Sequence, residues 1–264
     1  MLDRLLASPG APPLLAFDYD GVLAPLIPDP DGAPMSARTR ALLTALARLA
    51  PVAVVSGRSF AKLRRVVGGV TPWLVGNHGS EFLPPTPVPA AVLADVRRWE
   101  RQTAAAIAGV NGVTVEHKRS TFAVHWAQAR DRARAARTVR RAVAALEGVR
   151  LLPGKNLVNV LPASFPTKGD AVRRLLHEVG CGRALFVGDD VTDEDVFALP
   201  RRLVLGVHVG AGPSRASWRI ARREDVDGLL EVLVERVRAR TMQRSGTGAG
   251  TGTGGGRAVA GGEG

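Results

Sequence analysis

Leu14-Leu15-Ala16-Phe17-Asp18-Tyr19-Asp20-Gly21-Val22-Leu23 decides how the chain is read. A short apolar run leads directly into two aspartates one residue apart. Such a run, bounded by turn residues, is the pattern of a strand buried in a parallel sheet. Side chains at i and i+2 of extended backbone share a face, so Asp18 and Asp20 point the same way. Gly21 permits a sharp turn beside them. In open α/β sheets, sites form beyond the carboxyl ends of the strands. Two carboxylates there can hold a hard cation and leave one free as nucleophile or acid–base. Taken alone, a strand with an Asp-Gly turn also accounts for the stretch.

The same pattern recurs downstream. Ser36 opens an Ala/Leu-rich helix to about residue 50, and Pro51-Val52-Ala53-Val54-Val55 reads as a second strand ending in Ser56-Gly57-Arg58. Ser59 can cap a helix over 60–67, and Trp73-Leu74-Val75-Gly76 reads as a third strand running into Asn77-His78-Gly79. Strand and helix alternate, as in a doubly wound, Rossmann-like parallel sheet. The texture changes at Pro84-Pro85-Thr86-Pro87-Val88-Pro89, a stiff linker. Beyond it, helices over 90–108 and 130–146 accompany strand pairs over 113–117 with 121–127 and 149–152 with 157–161, which indicates an α+β insert. Alternation then resumes: helix 169–179, strand 184–187, helix 192–199, strand 203–207 and a last helix over 226–240. The expected organisation is a core from residues 1–84 and 166–241, an inserted α+β domain at 85–165, and a flexible Gly-rich tail at 242–264.

Composition narrows the function classes. Of 264 residues, 45% are apolar and 23% charged, an ordinary globular balance with room for a sizeable core. The single cysteine, Cys181, cannot form an internal disulfide, so a reducing compartment is expected. No apolar run approaches the roughly 20 residues of a membrane span, and Met1-Leu2-Asp3-Arg4 leads to prolines rather than to a signal core. A cytoplasmic, membrane-free chain follows as the expectation. The net charge of +12 raises the possibility of nucleic acid. The excess is almost all arginine, the lysines being Lys62, Lys118, Lys155 and Lys168, and it is spread over helical faces such as 130–141 without a basic–aromatic ladder. No specific nucleic-acid partner is expected.

Polar residues mark four places that the sheet brings to one edge: Asp18 and Asp20, Ser56-Gly57, Lys168-Gly169, and Asp189, Asp190 and Asp193. Lys168 opens a helix, where a cation opposes the macrodipole; a phosphate held there explains it. Thr192 and Asp195 fit a capping box, which leaves Asp189 and Asp190 without a purely helical role. Clustered carboxylates repel unless a cation neutralises them, so an oxygen-rich Mg²⁺ site with Asp18 is the economical account.

Asp18-Tyr19-Asp20-Gly21-Val22-Leu23, Val54-Val55-Ser56-Gly57-Arg58, the lysine of Thr167-Lys168-Gly169-Asp170, and Gly188-Asp189-Asp190-Val191-Thr192-Asp193-Glu194-Asp195 resemble, in order, the four motifs of the haloacid dehalogenase superfamily. The insert lies where that superfamily places a C2-type cap. Val75-Gly76-Asn77-His78-Gly79-Ser80-Glu81, Val115-Glu116-His117-Lys118 with His125, and Pro153-Gly154-Lys155 are similar to its trehalose-phosphatase branch. The resemblance implies hydrolysis of trehalose 6-phosphate through an aspartyl-phosphate. Asp18 would be the nucleophile and Asp20 the acid–base. Mg²⁺ would be held by Asp18, Asp189 and the Asp20 carbonyl, with Asp190 and Asp193 ordering its waters and Lys168. Ser56, Gly57, Arg58 and Lys168 would bind the phosphoryl group, and Glu116 and Lys118 the sugar, with His78 and Glu81 as further candidates. Two departures stand out: Asn159 occupies a position where the branch usually has glutamate, and the run that is His-Tyr-Arg in many relatives reads His125-Trp126-Ala127 here. Asn159 can still bond a hydroxyl, without charge assistance. Alternatives left open are a phosphatase of another sugar phosphate, of sucrose phosphate or mannosylglycerate phosphate type, and a non-catalytic sugar-phosphate sensor. A trehalose-6-phosphate synthase is a candidate partner, and a monomer is the expected state.

Overall fold

The computed structural model describes residues 12–27, 34–82 and 87–247. Residues 1–11, part of the loop at 25–34, part of the proline-rich linker with the boundary read at 84/85, and the tail from 248 lie outside the described residues.

Six strands form one parallel sheet: β1 (Leu14–Phe17), β2 (Val52–Val55), β3 (Trp73–Val75), β8 (Ala184–Gly188), β9 (Val204–Val209) and β10 (Trp218–Ile220), in spatial order β10-β9-β8-β1-β2-β3. Register places Leu15 against both Val52 and Leu185. Because β1 is central and buried on both sides, its alternate residues enter different cores. Leu15 and Phe17 pack with Val54, Leu185 and Val187 beneath α1 (Ala37–Ala47), α2 (Phe60–Val67) and α7 (Val226–Thr247). Leu14 and Ala16 face the opposite core with Val55, Phe186 and α5 (Lys168–Val179). The chain winds outward from β1 in both directions, so the switch point lies between β1 and β8.

The second sheet is antiparallel, in the order β4-β5-β7-β6, from β4 (Thr114–His117), β5 (Phe122–His125), β6 (Val149–Gly154) and β7 (Leu157–Pro162). One face carries α3 (Ala90–Ile107) and α4 (Arg132–Ala144), and Val96, Trp99, Phe122, Val139 and Val158 fill a core of their own.

Most elements read from periodicity match those formed, and the differences have local causes. Residues 242–247, read as the start of the tail, are helical: α7 continues to Thr247, Gly246 being the first glycine after Gly228. The helix read over 192–199 is a 3₁₀ turn, Val191–Asp193, followed by the short α6 (Glu194–Phe197). Its capping box is Asp190 with Asp193, not Thr192 with Asp195, so Asp190 does have a helical role. β10 was not legible: three residues with a half-exposed Trp218 carry too little pattern to mark an edge strand. Among the described residues, no helix is long and apolar enough to cross a membrane.

Candidate active site

β1 ends at Phe17, and the Asp18 amide still donates to the Val187 carbonyl at 2.8 Å, which fixes Asp18 at the sheet's carboxyl edge. The residue is buried, 4% exposed. One carboxylate oxygen accepts from the Tyr19 amide and the other from Lys168 Nζ at 2.9 Å. Lys168 is the first residue of α5. Thr167 caps that helix and closes a capping box with Asp170, which fixes the end of the helix from which the ammonium reaches the edge. Lys168 also donates to Asp193 Oδ1 at 2.8 Å, while Asp193 Oδ2 accepts from the Asp189 and Asp190 amides at 2.9 and 3.0 Å. Asp193 is fully buried and joins the lysine to the turn that carries Asp189.

Carboxylate oxygens of Asp18, Asp189 and Asp193 come within 4.8 Å of one another. Burial pushes the Asp18 carboxyl well above its ordinary range, with Lys168 opposing and Asp193 and Asp189 adding to the rise. Burial and then Asp193 push Asp189 up to about 8. Burial would lower Lys168, but the charges of Asp18 and Asp193 outweigh it and hold the ammonium above its ordinary range. Gly21 lies so close that a Cβ there would sit 2.0 Å from Asp189 Oδ2, and its φ of +76° suits glycine. Asp189 Oδ1 is buried with no hydrogen-bond partner. A carboxylate oxygen left without a donor inside a repelling cluster is the environment a hard divalent cation relieves, so these residues fit one. Both Asp193 oxygens are taken by donors, which leaves Asp18 and Asp189 as the side chains with capacity for an ion. Asp190 stands apart from this trio, exposed, with its carboxylate on the Val191 amide.

Asp20 meets Arg58 in a two-point pair, Nε–Oδ2 at 2.8 Å and Nη2–Oδ1 at 2.7 Å. The guanidinium stacks 4.7 Å from the Tyr19 ring centre. Ser56 is fully buried; its hydroxyl accepts from the Arg58 amide and does not line the cavity. Glu81 also lies away from the cavity, accepting from the Phe60 amide and from Asn77.

A cavity of about 330 Å³ opens over this edge beneath the second sheet. Asp18, Asp20, Gly57, Arg58, His78, Lys168, Asp189 and Asp190 line it from the six-stranded sheet's side, and Glu116, Lys118, His125, Lys155 and Asn159 from the opposite wall. Its size suits a small organic ligand. Lys118 Nζ donates to Asn159 Oδ1 at 3.0 Å and to the Gly57 carbonyl at 3.4 Å. Burial would raise the Glu116 carboxyl, but hydrogen bonds from His125 and Lys62 and the charge of Lys118 hold it at about 2. His78 sits in the left-handed region, φ +57°, beneath Gly57. Burial, with Lys118 and Lys168 nearby, pushes its imidazole well below the usual range, so the ring is neutral. Sequence reasoning passed over Lys62, whose helical position carries no local mark beyond being lysine in an arginine-rich chain.

Residues 16–223 match the family model described as Trehalose-phosphatase. The chain belongs to the trehalose-phosphatase family. A trehalose-phosphate phosphatase of Mycobacterium marinum is 31% identical over 227 residues, which cover 81% of this chain and 55% of that protein. This family member therefore spans about half the length of the curated relatives it matches. The C-terminal domain of a Candida albicans trehalose-6-phosphate phosphatase superposes with a TM-score of 0.71 at 23% identity, covering 84% of this chain and 92% of that one, a likeness of fold. The Aspergillus fumigatus trehalose-6-phosphate phosphatase, at 30% identity and a TM-score of 0.56, covers the same shares of both chains, 84% and 92%. The superfamily resemblance read from four short motifs and the α/β class with a parallel sheet both hold for this trehalose-phosphatase family chain.

Proposed function

We propose that the chain hydrolyses trehalose 6-phosphate to trehalose and phosphate through an aspartyl-phosphate on Asp18. The observation that carries this reading is the buried Lys168 bridge between Asp18 and Asp193, set beneath a wall that offers Glu116, Lys118 and Asn159 to hydroxyls. An oxygen of Asp18 attacks phosphorus, and the bond from phosphorus to the sugar oxygen breaks. Asp20 gives that oxygen a proton, then takes one from the water that attacks the acyl phosphate, which frees phosphate and regenerates Asp18. The Arg58 fork sets where the Asp20 carboxylate lies, and one of its two bonds must loosen for the proton to move. Lys168 and the Gly57 amide offset phosphoryl charge as it develops. The opposing wall excludes bulk water while the phosphoryl group passes from the sugar to Asp18. Asp18 and Asp189, with the Asp20 carbonyl, would hold Mg²⁺, which supplies positive charge at the phosphoryl oxygens. A synthase that makes the phosphorylated disaccharide is the candidate partner.

The test is phosphate release from a panel of sugar phosphates with and without Mg²⁺. Preference for trehalose 6-phosphate supports the reading, and comparable rates on every ester end it. A second reading, a phosphatase of another glycosyl phosphate, draws on Asn159 and Ala127, both on the cavity lining and both uncharged. Asn159→Ala is expected to raise KM about tenfold while kcat moves less, since a neutral hydrogen bond to a sugar hydroxyl acts before the chemical step. Steady-state kinetics on the preferred ester check this; no change in either constant would remove Asn159 from the sugar side.

Mg²⁺ has a pH signature of its own. Asp189 keeps its proton in the folded chain up to about 8, whereas an unfolded Asp loses it near 4. Between those values the folded state binds more protons, so without a divalent ion stability falls as pH rises. Added Mg²⁺ removes the repulsion, so the gain in Tm is expected to be larger near pH 8 than near pH 5. Thermal melts with Mg²⁺ against chelator read it out, and equal gains at both pH values would contradict the site.

A further inference from the structure

The chain contains 36 basic residues, of which four are lysine, and all four lysines, Lys62, Lys118, Lys155 and Lys168, line the one cavity described above. Elsewhere the chain uses arginine. A lysine ammonium is a compact point charge that turns on a flexible stem, unlike the fixed fork of arginine. Lys62 has no part in the mechanism so far. It lies in the first turn of α2, the helix that follows directly from Ser56, Gly57 and Arg58. Its Nζ donates to Glu116 Oε1 at 2.7 Å, across the gap between the two sheets' sides. The other Glu116 oxygen accepts from His125 Nε2 at 3.0 Å. A carboxylate only accepts, so Nε2 carries the proton. Glu116 is thus gripped from both walls, by a lysine anchored next to the phosphate end and by a histidine of its own sheet. Both side chains of the ion pair are mostly buried, 30% and 22% exposed, where water screens them less than on an open surface.

We propose that Lys62 is a positioning residue for sugar recognition: through Glu116 it fixes the acceptor oxygens offered to the disaccharide and ties the opposing wall to the phosphate-binding loop. The inference rests on the sugar-phosphatase reading above. Substrate hydroxyls meet a carboxylate already oriented, so less ordering is left to binding. An ester without the second sugar does not use Glu116 and depends less on Lys62.

The experiment compares Lys62→Met and Lys62→Arg with the unaltered chain on trehalose 6-phosphate and on p-nitrophenyl phosphate. Lys62→Met is expected to lower the ratio of kcat/KM for the disaccharide ester to that for the aryl ester about tenfold, mainly through KM. Lys62→Arg, which keeps the charge, is expected to recover most of the ratio. In a cycle with Glu116→Gln, the double variant should lose little more than the worse single one. An unchanged ratio, or equal losses on both esters, would overturn the proposal. So would an arginine variant no better than methionine, or fully additive losses in the cycle. An unaltered chain that turns over the aryl ester but shows no preference for trehalose 6-phosphate would instead defeat the functional reading, before any variant is made.

Discussion

Asp18→Asn is expected to abolish turnover, by about 10⁴-fold or more, without lowering Tm. The amide is nearly isosteric but is no nucleophile, so the phosphoryl group has nowhere to go. The stability side follows from burial. Burial pushes the Asp18 carboxyl well above its ordinary range, which means that the folded chain disfavours its charge. Removing that charge relieves repulsion with Asp189 and Asp193, and Lys168 keeps its second partner in Asp193. The amide oxygen can still accept from the lysine or from the Tyr19 amide. Phosphate release and a thermal melt on the same sample test both halves. A variant within tenfold of normal turnover would refute covalent catalysis at residue 18, and a lost fold would show that the carboxylate is needed for structure.

Lys168→Met is the converse case and should harm both properties. The ammonium is 2% exposed and serves two carboxylates, 6% and 0% exposed. Methionine fills comparable space but leaves buried acids without a counter-charge, which costs about 3–5 kcal/mol when a buried pair is broken from one side. For a chain of this size that lowers Tm on the order of 10 °C. Turnover should fall at least about 10³-fold, because phosphoryl charge then develops without its fixed cation. The pH dependence has a definite sign. The folded state holds the Lys168 proton more tightly than the unfolded chain does. Its contribution is therefore complete below the ordinary lysine value of about 10.4 and fades as pH rises above it. The Tm gap between the variant and the unaltered chain should narrow only in strong alkali. A gap that closes near neutrality would mean that another group holds the site together.

The two variants test different links. In the proposed mechanism Asp18 would carry the chemistry at little structural cost, whereas Lys168 joins the helix α5, the β1 edge and the turn after β8. That asymmetry is visible in geometry, since Asp193 spends both oxygens on holding Lys168 and two backbone amides.

Local order was legible in the chain itself. Four-residue apolar runs such as Leu14 to Phe17 and Val52 to Val55, bounded by turn residues, read as buried strands, and polar residues follow directly after them. The parallel sheet and the α+β insert therefore followed from one-dimensional pattern, and the superfamily from the resemblance carried by four short motifs. Backbone hydrogen bonding and burial impose those periods within each segment. Pairings between distant segments have no such period, and the tertiary structure alone decided them. It turned Asp190 onto the Val191 amide and brought Asp193 into the acidic trio, because a 3₁₀ turn formed where a longer helix was expected. It closed Arg58 onto Asp20, left Ser56 and Glu81 off the cavity, and set Lys62 against Glu116, residues 54 positions apart in sequence. The Lys62–Glu116 pair depends on how two packed bodies meet, a property of their shapes that no single stretch of residues encodes.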